Sequence, residues 1–71
     1  MASLILKRNT QDKNRDKIME DIRLVKSQLQ NASVRFELES DDDLVEAIIY
    51  EMESLKAKYR YLMKTAREYD L

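Results

Sequence analysis

Apolar residues recur along this chain at alternating steps of three and four residues, in two separate runs. The first run consists of Ile18, Ile22, Val25, Leu29, Ala32 and Phe36, and the second of Val45, Ile48, Met52, Leu55, Tyr59, Leu62, Ala66 and Tyr69. A mean step of about 3.5 residues places side chains along one narrow stripe of an α-helix, whereas a β-strand needs a step of two. The spacing therefore predicts two helices that pack in the manner of a coiled coil.

The polar segment between the two runs indicates where the second helix begins. Ser40 is suited to the N-cap position, because its hydroxyl can accept a hydrogen bond from a backbone N–H that the helix start leaves unpaired. Asp43 lies three residues later, at the spacing of a capping box, with Asp in place of the usual Glu. Asp41, Asp42 and Asp43 would occupy the first turn, where the helix dipole favours negative charge. We therefore expect the second helix to begin near residue 41.

The chain is expected to form one all-α domain over residues 1–71, with helices at about 13–35 and about 41–69. Residues 1–12 are assigned no helix and need not be ordered. The connection between the helices is short, and short connections usually make neighbouring helices antiparallel. The predicted fold is an antiparallel two-helix hairpin of the coiled-coil type.

The chain contains no His, Cys, Gly or Pro. Without His and Cys it lacks the commonest general base, the commonest metal ligand and any disulfide or thiolate site. Without Gly it lacks the loops that cradle phosphates in nucleotide-binding proteins. The acidic cluster at residues 41–43 is better explained by helix capping than by a cation site, because it lacks the alternating acids and the glycine of an EF-hand. We therefore expect no enzymatic activity, no cofactor and no bound metal.

The chain also lacks the features of a membrane or exported protein. No segment approaches the roughly 20 apolar residues that a membrane-spanning helix needs. The short apolar stretch "SLIL" at residues 3–6 is not followed by the longer apolar region of a signal peptide. We expect a cytoplasmic protein that does not associate with a membrane.

Charge is segregated along the chain. Residues 39–53 hold seven acidic residues and no basic ones, while residues 1–17 and residues 54–71 each hold five basic and two acidic residues. A hairpin would bring the two basic segments together at its open end and leave the acidic segment at the turn. Such a molecule would have a basic end and an acidic tip.

The basic end can be interpreted in two ways. Its residues can simply form solvated helix faces, or they can bind an anionic partner. The residues that would contact such a partner are Lys13, Arg15, Lys17, Lys58, Arg60, Lys64 and Arg67. That partner could be an acidic protein surface, including the acidic tip of a second copy, or a nucleic acid. Nucleic acid is the weaker interpretation, because the sequence pI is about 5.4 and domains that bind nucleic acid are usually basic.

The second predicted helix has more apolar surface than one partner helix can cover. Ile49 and Met63 lie beside the stripe, two heptads apart. Tyr50 and Tyr61 are 11 residues apart, close to three full turns, so they project from one face, and the small Ala57 lies near that face between them. Long Lys and Glu side chains could instead shield the two tyrosines.

The core of a lone hairpin is marginal, so a second chain would complete it. We therefore predict that two hairpins pair through the second helix into a four-helix bundle, as a homodimer. The predicted interface consists of Ile49, Tyr50, Ala57, Tyr61 and Met63.

The C-terminal part of the chain resembles the YaaL-like family of short bacterial proteins. Three elements carry the resemblance: the acidic start "DDDL" at residues 41–44, "IYE" at residues 49–51 and "KYRYL" at residues 58–62. The resemblance covers about 30 residues well and the first helix only as a generic amphipathic segment. It implies a cytosolic bacterial protein and no assigned activity.

These observations favour a non-catalytic protein-interaction module that self-associates and presents a further face to a protein partner. The alternative is an accessory protein that binds nucleic acid through the basic open end of the hairpin.

Overall fold

A computed structural model describes the backbone of residues 2–69 and the side chains of residues 14–69. Helix α1 spans Ala2–Leu38 and helix α2 spans Asp42–Glu68. The two helices pack against each other as a hairpin, and the backbone between residues 2 and 69 contains no strand. The predicted all-α hairpin is thus confirmed.

Helix α1 is longer than the sequence pattern indicated. It begins at Ala2 rather than near residue 13, and it ends at Leu38 rather than near residue 35. The periodic apolar residues fix only the part of a helix that packs, and nothing in the flanking segments ends a helix, because the chain has no Gly or Pro. Met1 lies outside the described residues.

The N-cap of α2 is Asp41, and the prediction of Ser40 at that position is wrong. The Asp41 carboxylate accepts hydrogen bonds from the backbone N–H groups of Asp43, at 2.9 Å, and Leu44, at 3.1 Å. Ser40 instead donates its own N–H to the Glu39 carboxylate, at 3.1 Å. Asp41 has the extended backbone conformation of an N-cap residue, and its carboxylate also interacts favourably with the helix dipole. The helix start therefore shifts by one residue, to Asp42.

The hairpin is held together by a narrow seam between the helices. Six apolar residues are buried: Ile18, Val25, Ala32, Ile48, Leu62 and Ala66. All six belong to the two runs in the sequence, so the predicted seam is observed. Phe36 also belongs to the first run, yet it is 40% exposed. It lies near the turn, where Ile49 and Met52 flank it and no third helix covers it.

Candidate interaction surfaces

The two sides of the seam differ in chemistry. One side, which we call the polar flank, is a groove lined by Ser27, Gln28, Asn31, Arg35, Glu51 and Leu55. Arg35 donates to Asn31 at 2.8 Å and forms an ion pair with Glu51 across the two helices. Arg35, Asn31 and Glu51 therefore find partners within the hairpin, and the ion pair fixes the level at which the helices face each other.

The opposite side of the seam is apolar. Phe36, Ile49 and Met52 line a shallow groove of about 120 Å³, together with Glu53 and Lys56. Ile49 is 41% exposed, and Met52 is half-buried. This groove lies on the side of the seam away from the Arg35–Glu51 pair. It exposes large apolar side chains that the hairpin itself does not cover.

Helical spacing extends this apolar side along the whole hairpin. Met63 lies two heptads after Ile49 and therefore on the same side of α2. Met19 is exposed and lies about 100° from the seam of α1, on the side opposite Arg35. We call the resulting surface the methionine flank, and it consists of Met19, Phe36, Ile49, Met52 and Met63.

Tyr50 and Tyr61 lie on a different surface. Each is 65% exposed, and the exposed Ser54 and Ala57 lie between them. At about 100° per residue the two tyrosines differ by only about 20° around α2, and they are about 16 Å apart along its axis. This surface points about 145° away from the seam. We call these four residues the tyrosine face.

The structure therefore separates the predicted interface into two parts. Tyr50, Ala57 and Tyr61 belong to the tyrosine face, whereas Ile49 and Met63 belong to the methionine flank. One flat partner surface cannot contact both parts at once, because the two directions differ by about 100° around α2.

The residues predicted to contact an anionic partner are likewise divided. Arg15, Arg60 and Arg67 lie towards the methionine flank, while Lys17 and Lys58 lie towards the polar flank. These five are exposed. Lys64 is exposed beside the tyrosine face, and the side chain of Lys13 lies outside the described residues. The hairpin does not gather the six described residues into one site.

The methionine flank carries two basic residues that sequence reasoning missed. Arg23 lies four residues after Met19, and Lys26 lies three residues after Arg23. This spacing alone could have placed both residues on the same side of α1 as Met19. They lie at the level of Met63 and Arg60 of α2. Among the basic side chains of residues 14–69, only Arg35 and Lys56 take part in an ion pair. Arg23, Lys26 and Arg60 therefore have no acidic partner within that part of the chain.

The charge on the methionine flank reverses along its length. Towards the open end it is basic, with Arg23, Lys26 and Arg60. Towards the turn it is acidic, with Glu37 and Glu53, and Glu53 pairs with Lys56 at 3.8 Å. The flank therefore combines apolar side chains with a positive charge towards the open end and a negative charge towards the turn.

No arrangement of catalytic or metal-binding groups emerges from the described side chains. Between residues 14 and 69 no group of three or more acidic residues could hold a metal ion, and Asp41 is engaged in capping α2. Across residues 2–69 neither helix is long and apolar enough to cross a membrane. That the chain is not an enzyme stays a prediction.

Comparison with known proteins gives one family. A family model described as "Protein of unknown function (DUF2508)" matches residues 5–71, which include nearly all of α1 and the whole of α2. No curated protein and no solved structure matches the chain.

Proposed function

The chain belongs to the DUF2508 family of proteins of unknown function, and we propose that it is a non-catalytic interaction module that pairs with a second copy into a four-helix bundle. The observation that carries this proposal is the methionine flank, an exposed apolar surface with opposite charges at its two ends. The narrower resemblance to the YaaL-like proteins supports a bacterial, cytoplasmic setting as part of the same proposal.

The apolar content of the flank supports pairing. Among the side chains of residues 14–69 only six are buried, and a domain of this size usually needs a further staple to be stable. Stacking two hairpins flank against flank would cover Phe36, Ile49 and Met52 with the same surface of the second copy. Both helices of each hairpin would then contribute to one shared core, as in other helix bundles.

The charges of the flank favour an antiparallel arrangement, with the two turns at opposite ends of the bundle. A two-fold axis that crosses α2 near residue 56 would bring Ile49 opposite Met63 of the second copy. The same axis brings Glu53 opposite Arg60 of the second copy, on the outer edge of the contact. Each of these contacts occurs twice, because a two-fold interface uses the same surface on both chains.

Helix α1 gives a matching contact under the same axis. Glu37 would face Arg23 of the second copy. On α2, Lys56 would lie near the axis and face its own counterpart. The charge of Lys56 is already paired with Glu53 within the chain, and its long stem can pack while the ammonium group stays in water. A bundle with both turns at one end would instead place acidic residues beside acidic ones, and like charges opposite each other are destabilising.

The absence of Cys from the chain allows a direct test of this arrangement. We expect Ile49→Cys chains mixed with Met63→Cys chains to form a disulfide between different copies on mild oxidation, as seen by non-reducing electrophoresis. Neither variant alone should do so, because residue 49 and its counterpart would be about 21 Å apart along the helix and a disulfide needs Cβ atoms within about 4.5 Å.

The control for this experiment is Ser27→Cys, an exposed position on the polar flank that reports the rate of random collisions. Disulfides in each single variant, but not enhanced in the mixture, would contradict the antiparallel arrangement with its axis near residue 56. A mixture that reacts no faster than Ser27→Cys would remove the proposed interface.

Nucleic acid binding is the second candidate function, favoured by the exposed Arg23, Lys26 and Arg60, which have no ion pair among the side chains of residues 14–69. It predicts that a labelled mixed-sequence DNA co-sediments with the protein at low salt. That binding should fall steeply between about 50 and 200 mM salt, because contacts to phosphates release counterions. Absence of co-sedimentation at low salt would exclude this candidate.

A further inference from the structure

We propose that the tyrosine face is a second self-association surface, on which α2 of another copy packs in the antiparallel direction. This surface remains open when two hairpins pair through their methionine flanks, because it points away from both the seam and that flank. The contact would therefore join bundles to one another, and it does not depend on the bundle for its own formation.

The shape of the face suits a second copy of itself. A two-fold axis between residues 55 and 56 would place Tyr50 opposite Tyr61 of the other copy, and Ser54 opposite Ala57. The small pair lets the two helix backbones approach closely at the centre of the contact. The tyrosine rings, each 65% exposed in the hairpin, would then cover each other on both sides of that centre.

The charge beside the face agrees with the same axis. Glu46 and Lys64 lie on one edge of the tyrosine face, and the antiparallel arrangement brings Glu46 of one chain opposite Lys64 of the other, twice. A parallel arrangement would place each of these residues beside its own counterpart. Asp43 would approach Glu68 of the other copy at the outer ends of the contact, where both are exposed and screening makes their repulsion small.

The size of the contact sets its strength relative to the bundle. A buried aromatic side chain covers about 150–250 Å², so four tyrosines that are already one-third covered would remove several hundred Å² from water. That is below the roughly 1,600 Å² of a standard stable interface. The contact through the tyrosine face should therefore form at higher protein concentration than the bundle.

Charge exchange on the full-length chain tests the proposal. In sedimentation equilibrium at low salt, we expect the unmodified protein to move from the mass of two chains towards that of four as its concentration rises. Glu46→Lys and Lys64→Glu should each weaken this second step about tenfold, and the double variant should restore it. Circular dichroism checks that each variant keeps its helices.

A separate background distinguishes this proposal from the bundle. In Ile49→Glu chains the methionine flank is disrupted, so any remaining pairing must use the tyrosine face. We expect this variant to pair at high concentration, to lose that pairing when Lys64→Glu is added, and to regain it when Glu46→Lys is added as well. This pattern would support the proposal even without a bundle. Ile49→Glu chains that stay single at every concentration, or chains in which adding Glu46→Lys fails to restore the pairing lost with Lys64→Glu, would overturn it.

Discussion

Replacing Ile49 with Glu is expected to convert the paired protein into single chains at tens of micromolar. In the proposed bundle, Ile49 packs beside Met63 of the second copy, and the two-fold axis makes every substitution act twice. A carboxylate at this position would be buried without a partner, at a cost of about 1–3 kcal/mol for each copy even by conservative measures. The dissociation constant of the dimer should therefore rise at least about 30-fold. Sedimentation equilibrium gives the mass directly.

The control for this substitution is Leu24→Glu. Leu24 is also an exposed apolar residue, but it lies on the opposite side of α1 from the methionine flank. It should keep the mass of two chains while adding the same charge. Equal masses for the two variants would show that the methionine flank does not form the interface, and a single-chain mass for the unmodified protein would show that no bundle forms.

Replacing Val25 with Asp is expected to unfold the hairpin. Val25 has 0% exposure and is the largest completely buried side chain among residues 14–69. A carboxylate there would lie between apolar residues of both helices, with no buried polar side chain in the core to pair with it. The cost of several kcal/mol is comparable to the whole stability of a small domain. Far-ultraviolet circular dichroism should show a large loss of helix and no cooperative thermal transition.

Val34→Asp provides a matched control, because it makes the same substitution in the same helix. Val34 is 50% exposed, so its carboxylate would stay in water and the thermal midpoint should change little. If Val25→Asp melted at the same temperature as Val34→Asp, the seam would contribute little to the stability of the fold.

Much of this fold could be predicted because one property of the sequence, the step of about 3.5 residues, determines which side of each helix is buried. That step placed Val25 and Leu62 in the core without any knowledge of their partners. It could not place the start of α2, since Ser40 and Asp41 both have the chemistry of an N-cap. The backbone conformation selects between them, with Asp41 in the extended conformation that a cap requires.

The candidate surfaces were only partly predictable for a related reason. Spacing along α2 gives the angles of Ile49 and Tyr50 from the seam, but it does not reveal which residues of the first helix lie at the same level. Only the packed hairpin shows that Ile49 shares a groove with Phe36 while Tyr50 faces away from it. Arg23 and Lys26 join the site for the same reason, because their role depends on a neighbour that is distant in sequence.

The narrow seam has a consequence for how this protein would behave in a cell. Because the single chain encloses few side chains among residues 14–69, pairing through the methionine flank would add buried apolar surface to the folded form and stabilise it. The melting temperature should then rise with protein concentration, since a partner that binds only the folded form stabilises it by mass action. Gene dosage would set the folded fraction, and chains made below the pairing threshold would be the ones most open to proteolysis.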